Sequence, residues 1–278
     1  MPDSVALLAT AATSRQDALA LAQYLNVDLL PGTDIAAANP AIVAVLVMDG
    51  AQLYLQQTGP KAPGPVTVDF GAGAMRHRRK GGQNELLGKA VGALRRPGLK
   101  VLDATAGLGR DSFVLADLGC RVLMCEREKL MSVLLQSGLN RAQTTGDQWL
   151  SEVARRMSLN TGDAMQLVES EVQTCDVIYL DPMFPQRGKS AAVKKEMALF
   201  QRLLDGSSTA ADSGRLLRWA LQQKVARVVV KRPLKAPHLG QKTPSHCVSG
   251  KAVRFDVYVL SAFTASRSGG TSGETGGG

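Results

Sequence analysis

Two segments of this chain carry residue types and spacings that can do chemistry: Asp103-Ala-Thr-Ala-Gly-Leu-Gly-Arg-Asp111 and Asp181-Pro-Met-Phe-Pro185. The first begins in an apolar run that reads as a strand and leads into a helical pattern. Ala106, Gly107 and Gly109 keep bulk out of the turn between them, so a bound molecule can approach backbone N–H groups closely. The second closes another apolar run, 177–180, with an acid, a proline and an aromatic ring. An acid and a flat ring at the carboxyl edge of a parallel sheet suit a planar base carrying an exocyclic amine. The pair reads as a nucleotide-type cofactor site with an amine-methylating site beside it.

Further acids fall where such a site needs them. Glu126 ends the next strand-like run and follows Gly107 by 19 residues, near the ~20-residue spacing at which an acid reaches a ribose hydroxyl pair. Gly162 and Asp163 close a third run, where Asp163 could accept from an adenine amine. The dinucleotide fingerprint G-x-G-x-x-G is incomplete, because Gly107-Leu-Gly109 is followed by Arg110-Asp111-Ser112. Asp103, Asp111, Glu126, Asp163 and Asp181 are expected to face one cleft, where they would repel a pyrophosphate and attract a sulfonium that also carries an ammonium group. The expected cofactor is S-adenosylmethionine rather than NAD.

The elements that must position these residues alternate. From about residue 86, strand-like runs at 100–103, 121–125, 157–161, 176–180, 225–230 and 255–260 are separated by helical segments at 111–118, 129–141, 148–156, 194–204 and 215–223. That rhythm implies a parallel sheet covered on both faces, with ligands beyond the carboxyl ends of its strands. The expected fold is α/β, a Rossmann-like class I methyltransferase sheet over 86–265. Ahead of it, 1–85 reads as a small α/β unit. Its signals are a helix at 14–25 capped by Ser14 and a hairpin of 41–48 with 51–57 around Asp49-Gly50; a short strand follows at 66–70. Residues 266–278, rich in Gly, Ser and Thr, read as a flexible tail. The last two strands are expected to form an edge, with the loop 231–250 flanking the base pocket.

At 278 residues the chain can bury a sizeable core, and 45% hydrophobic with 21% charged residues is ordinary for a globular protein. The formal net charge of +9 is not ordinary. Basic clusters at Arg76-His-Arg-Arg-Lys80, Lys194-Lys195 and Lys231-Arg232 point to a polyanionic partner, most simply nucleic acid. Arg76, Arg78, Arg79, Lys80, Lys194, Lys195, Lys231 and Arg232 are therefore the candidate RNA-binding residues. Four cysteines without C-x-x-C spacing, and three histidines (His77, His238, His246) without ligand spacing, give no expected metal site. No signal peptide and no membrane-spanning stretch is read.

Asp181-Pro182-Met183-Phe184 is similar to the [D/N]-P-P-[Y/F] signature of enzymes that methylate exocyclic amines of bases. Asp181 and the Pro182 carbonyl would accept from the amine and localise its lone pair, and Phe184 would stack on an unstacked base. The resemblance narrows further. The segments 103–111 and 179–185, Lys189-Ser190, Val193-Lys-Lys-Glu-Met197, Val228-Val-Val-Lys-Arg-Pro233, Arg254-Phe-Asp-Val-Tyr258 and Gly73-Ala-Met-Arg-His-Arg-Arg-Lys80 together resemble the ribosomal RNA small subunit methyltransferase J family, over about residues 66–260. That resemblance implies S-adenosylmethionine-dependent N2-methylation of a guanine (1516 in the usual rRNA numbering) in 16S ribosomal RNA, in the bacterial cytoplasm. The partner would be the rRNA or the small ribosomal subunit, with no obligate protein partner evident. Carried over by motif, cofactor contacts fall on Arg110, Asp111, Glu126, Arg127, Gly162, Asp163 and Asp181, beside the Asp103 and Gly107 of the turn. Two alternatives stay open from the residues alone: an amine methyltransferase for DNA adenine or a protein amide, and an RNA-binding protein that holds the cofactor without turnover.

Overall fold

The computed structural model describes residues 4–32, 35, 41–73, 75–76, 82–182, 198–200, 202–203 and 210–263. The first elements are strand β1 (Val5–Ala9), helix α1 (Arg15–Leu25) and strands β2 (Asp28–Leu29), β3 (Ala44–Asp49) and β4 (Gln52–Gln57). Ser14 caps α1 as expected, its side chain accepting from the Asp17 N–H, and Asn26 ends the helix in the left-handed region. The Asp49-Gly50 hairpin forms, and β1 adds parallel strands on both sides to give a sheet in the order β2-β1-β3-β4. β1 escaped the sequence reading because Val5-Ala-Leu-Leu-Ala has no alternation; it is buried on both faces. The strand expected at 66–70 reduces to one bridge, in which Val66 and Leu55 exchange both backbone hydrogen bonds at 2.8 Å.

The second sheet has seven strands: β5 (Lys100–Asp103), β6 (Arg121–Glu126), β7 (Met157–Thr161), β8 (Val177–Leu180), β9 (Arg227–Pro233), β10 (His246–Ser249) and β11 (Val253–Val259). Their order is β10-β11-β9-β8-β5-β6-β7; β5 to β9 are parallel, whereas β11 and β10 are antiparallel additions. The chain leaves β5 toward β6 and β7, then returns to the other side of β5 through β8. Loops leaving β5 and β8 therefore diverge across a crevice at the strands' carboxyl ends, where such folds bind ligands. β10 lies inside the stretch expected as a loop, so the true edge is β10 rather than the 225–230 and 255–260 strands.

Because side chains alternate along a strand, the sheet sorts its residues by face. Val101, Val122, Tyr179, Val229 and Val257 pack with helices α2 (Gly82–Val91), α3 (Arg110–Asp117), α4 (Lys129–Thr144) and α5 (Gln148–Ala154). Leu102, Ile178, Leu180, Val228 and Val230 face α6 (Glu169–Gln173) and α7 (Ala210–Leu221). The first face does not stop at its helices. Val5, Leu7, Leu46 and Leu55 of the small sheet belong to the same buried cluster, so α4 lies between two sheets. Contact is close there: a side chain at Gly138 would place its Cβ 2.4 Å from Val68. Ser137 on α4 accepts from the Leu53 N–H and donates to the Ala51 carbonyl, each at 3.0 Å.

Ser137→Ala removes the partner of two backbone groups at that junction, at a cost of about 1–3 kcal/mol. Denaturant unfolding is expected to show that loss; an unchanged midpoint would mean that water replaces the hydroxyl without penalty.

Candidate active site

The turn after β5 is built by its own short side chains. Asp103 accepts from the Thr105 N–H at 3.1 Å and from the Ser112 hydroxyl at 2.5 Å, folding the loop back over the strand end. Gly109 caps α3 with φ +71, and a Cβ there would sit 2.7 Å from Leu135, so both conformation and packing require glycine. Glu126, at the end of β6, accepts from the Gly107 N–H through one carboxylate oxygen and from the Glu128 N–H through the other, both at 2.8 Å. A carboxylate has about four acceptor directions, so Glu126 fixes two loops and keeps capacity toward the space between them.

That space is a cleft of about 710 Å³, its open side included, lined among others by Thr105, Gly107, Arg127, Gly162, Ala164, Met165 and Pro182. Among the described residues five carboxylates line it as well (Glu126, Glu128, Asp163, Asp181 and Asp212), against the one guanidinium of Arg127. Asp163 caps the short helical turn at Ala164–Gln166 by accepting from the Met165 N–H at 2.9 Å. Asp181 leaves β8 with its N–H held by the Thr105 hydroxyl at 2.6 Å, which links the two chemistry-bearing segments directly. Of the expected cofactor residues, Gly107, Glu126, Arg127, Gly162, Asp163 and Asp181 meet at this cleft.

Asp103, Arg110 and Asp111 do not line it. Asp103 is 1% exposed and Asp111 8% exposed; both lie beneath the turn, because the carboxyl group that folds a tight loop must point into it. Burial pushes the Asp103 carboxyl up to about 7, helped by Asp111 and Asp181 and opposed by its Ser112 and Thr105 hydrogen bonds. Asp111 accepts from the Tyr179 hydroxyl and from Lys231 Nζ, each at 2.6 Å, and Lys231 Nζ also donates to Asp181 at 2.8 Å. Burial alone would push the Lys231 ammonium down; Asp111 and Asp181 more than reverse this and hold it charged. Tyr179 is pushed well up by burial and then by Asp111, so it stays a neutral donor.

Lys231, expected as an exposed RNA-binding cation, is instead largely buried and paired with two carboxylates. The parallel register pairs Leu180 with Val230, so the next residues, Asp181 and Lys231, emerge side by side. Arg232, also expected to be exposed, is 1% exposed and donates through Nε and Nη2 to the Pro237 carbonyl. Arg76 is half-exposed, ion-paired with Asp147 and lying 5.1 Å over the Trp149 ring. Phe184, Arg78, Arg79, Lys80, Lys194 and Lys195 lie outside the described residues. Sequence reasoning missed Thr105 and two residues of α7 that reach the cleft, Asp212 and Ser213. An acid followed by serine ahead of an apolar helical run was their signal, but the helix was expected to begin only at 215.

One cluster forms away from the cleft. His238, Cys247 and Asp256 bring ligand atoms within 4.8 Å of one another, although their sequence spacing showed nothing. Arg254 Nε donates to Asp256 at 2.7 Å and its Nη1 to the Leu234 carbonyl at 2.7 Å, so the Asp256 charge is matched by a guanidinium and the group ties the loop after β9 to β11.

Two outcomes follow from the buried charges. Lys231→Met leaves Asp111 and Asp181 facing each other without a cation, and unfolding should register a loss of about 3 kcal/mol; undiminished stability would return Lys231 to the exposed cations. For Asp103 the folded protein binds a proton more tightly than the unfolded chain, so its favourable contribution is complete below about pH 4 and is lost as pH rises toward 7. Asp103→Asn is expected to lack that decline, so its stability relative to the unaltered protein should rise between pH 5 and 7 and level off above 8. A pH-independent difference in denaturant midpoints would refute the raised carboxyl.

Comparison with known proteins agrees with this geometry. Residues 33–260 match the family described as "Putative SAM-dependent methyltransferase". The ribosomal RNA small subunit methyltransferase J of Cellvibrio japonicus is 49% identical over 221 residues, covering 77% of this chain and 82% of that protein. Its namesake from Thioalkalivibrio sulfidiphilus is 46% identical over 249 residues, covering 88% and 93%. The crystal structure of a SAM-dependent methyltransferase from Neisseria gonorrhoeae superposes with a TM-score of 0.69 at 34% identity, covering 91% of this chain and 95% of that one. The acid-lined cleft at the switch point of this sheet thus sits in a chain that belongs to the ribosomal RNA small subunit methyltransferase J family of S-adenosylmethionine-dependent methyltransferases.

Proposed function

We propose that this protein methylates the exocyclic N2 amine of a guanine in 16S ribosomal RNA, at the position numbered 1516, in the cytoplasm. The observation that carries the reading is Asp181-Pro182 at the mouth of the cleft, with Asp181 held at its backbone and at its carboxylate. Its N–H is held by Thr105, its carboxylate by Lys231, and Lys231 in turn by Asp111.

The cleft fits S-adenosylmethionine by the chemistry of its donors: five carboxylates suit a sulfonium and an ammonium, and Gly107 and Gly162 leave backbone uncovered. Glu126 and Arg127 would hold the ribose end and Gly162 with Asp163 the adenine end. When bound, the cofactor supplies an electrophilic methyl group on sulfur. The guanine amine is a weak nucleophile because its lone pair is delocalised into the ring. Asp181 and the Pro182 carbonyl accept from its two hydrogens and draw the lone pair out of conjugation. Lys231 holds one Asp181 oxygen, so the other is the one presented to the amine. The amine sheds a proton after transfer, and Asp181 is the carboxylate in reach to accept it. The five carboxylates discourage RNA phosphates from entering, which leaves the base as the part of the substrate that can.

Labelled S-adenosylmethionine offered with 16S rRNA, small subunits, DNA and protein separately is expected to mark the first two only, with the label mapping to one guanine N2. Asp181→Ala should abolish turnover. Asp181→Asn keeps an accepting oxygen and should retain measurable activity with cofactor affinity preserved. Label on DNA or protein instead, or full activity of the alanine variant, would overturn the reading.

A further inference from the structure

A row of cations lies at the opposite end of the sheet from the cleft; two of them, Arg156 and Arg227, also donate to the Ala116 and Ala90 carbonyls. Strand pairing aligns the beginnings of the five parallel strands: Arg227 opens β9 opposite Val177, Lys100 of β5 pairs with Arg121 of β6, and Arg156 directly precedes β7. Neighbouring strands lie ~4.8 Å apart, so this row of cations spans about 19 Å. Two concavities open on the same edge. One, of about 1400 Å³ with its open side included, is lined by Lys100, Arg121, Arg155 and Arg156 against one carboxylate, Glu171. The other, of about 1430 Å³ with its open side included, is lined by Lys89, Arg95, Arg96 and Arg227; Lys89 pairs with Glu85 at 3.5 Å, and the Phe263 ring centre lies 5.1 Å from the Arg96 guanidinium and 4.4 Å from that of Arg227. Asp176, also at this edge, accepts from the Lys100 backbone N–H at 2.8 Å.

We infer that this amino-terminal edge is a second RNA surface, gripping the phosphate backbone of the substrate at a distance from the base that enters the cleft. The side chains of Arg95, Lys100, Arg121 and Arg155 make no hydrogen bond or ion pair among the described residues. Lys231 and Arg232, by contrast, are buried and held by internal partners. Guanidinium groups match the two-oxygen face of a phosphodiester. An extended row of them suits a charge-repeating backbone better than an isolated acidic side chain. The parallel strands, four to seven residues long, separate edge and cleft by roughly 13–23 Å, so a ligand touching both must reach around the sheet from one end to the other, as a folded RNA can. The inference rests on the RNA reading of the cleft and adds where the rest of that RNA is held.

The test replaces Arg95, Lys100, Arg121 and Arg155 by glutamine together. All four are remote from the cleft, so S-adenosylmethionine affinity by calorimetry and kcat should stay unchanged. KM for full-length 16S rRNA is expected to rise about tenfold or more. The log–log salt dependence of rRNA binding should flatten by roughly 3, at ~0.7 for each phosphate no longer neutralised. Unchanged KM and salt slope would overturn the inference. In the unaltered protein, acetylation of the Lys100 amine should be suppressed by bound 16S rRNA and unaffected by polyglutamate; equal labelling with and without rRNA would also overturn it. A protein that methylates no rRNA but still shows the salt slope and Lys100 protection would fail the catalytic reading and keep this one.

Discussion

One ammonium group organises the catalytic end of this molecule. Lys231 sits between Asp111 and Asp181 with side-chain exposures of 16%, 10% and 27%, so three elements that share no sequence proximity are tied at a point. β9 supplies the cation, α3 one carboxylate and the end of β8 the other. Without the cation, two negative charges would be forced together in a weakly solvated place, and one would have to take up a proton or move. With it, Asp181 keeps a fixed direction, and the Tyr179 hydroxyl completes the arrangement by donating to Asp111. The neighbouring Asp103 bears part of the strain: burial raises its carboxyl to about 7. The acid that holds the turn is thus pushed toward neutrality by its burial, and burial raises the Glu126 carboxyl at the cleft wall as well.

What the sequence revealed, and what it hid, follows from the range over which each signal acts. Ser14 and the Asp49-Gly50 turn were legible because capping and turn chemistry are settled within four residues. The strand–helix rhythm exposed the parallel sheet for the same reason, and placed Glu126, Asp163 and Asp181 at strand ends. Lys231 was misread because its identity as a buried counter-ion depends on the register between β8 and β9, which no local pattern encodes. Arg232, next along the same strand, was misread with it, since a basic pair in sequence becomes two opposite faces in a strand. The His238, Cys247 and Asp256 cluster was invisible because its members come from a loop and two antiparallel strands. β10 escaped notice because His246-Cys-Val-Ser249 is short and mostly exposed.

The leading unit is more than an appendage to the sheet that carries the cleft. Its strands share one buried cluster with α4, and α4 begins just after Glu126 and Arg127, which line the cleft. Met131, on the first turn of α4, also lines the cleft, and Ser137, six residues on, holds the backbone of the small sheet. The same helix therefore reports to both units, and a substitution that loosens the small sheet should reach the cleft through a rigid element rather than through a loop.

Ser137 has a consequence for how copies of this chain behave toward one another. β4 is the outer strand of the small sheet, and a bare outer strand is a template on which a second chain can assemble. Here the Leu53 N–H and the Ala51 carbonyl are consumed by a serine hydroxyl from a helix, and both backbone groups of Leu55 are consumed by Val66. The opposite border, β2, is only two residues long. Neither border offers a free ladder of any length, so the small sheet is closed to recruitment, and crowding of the protein on a long polymer need not lead to strand-mediated clumping.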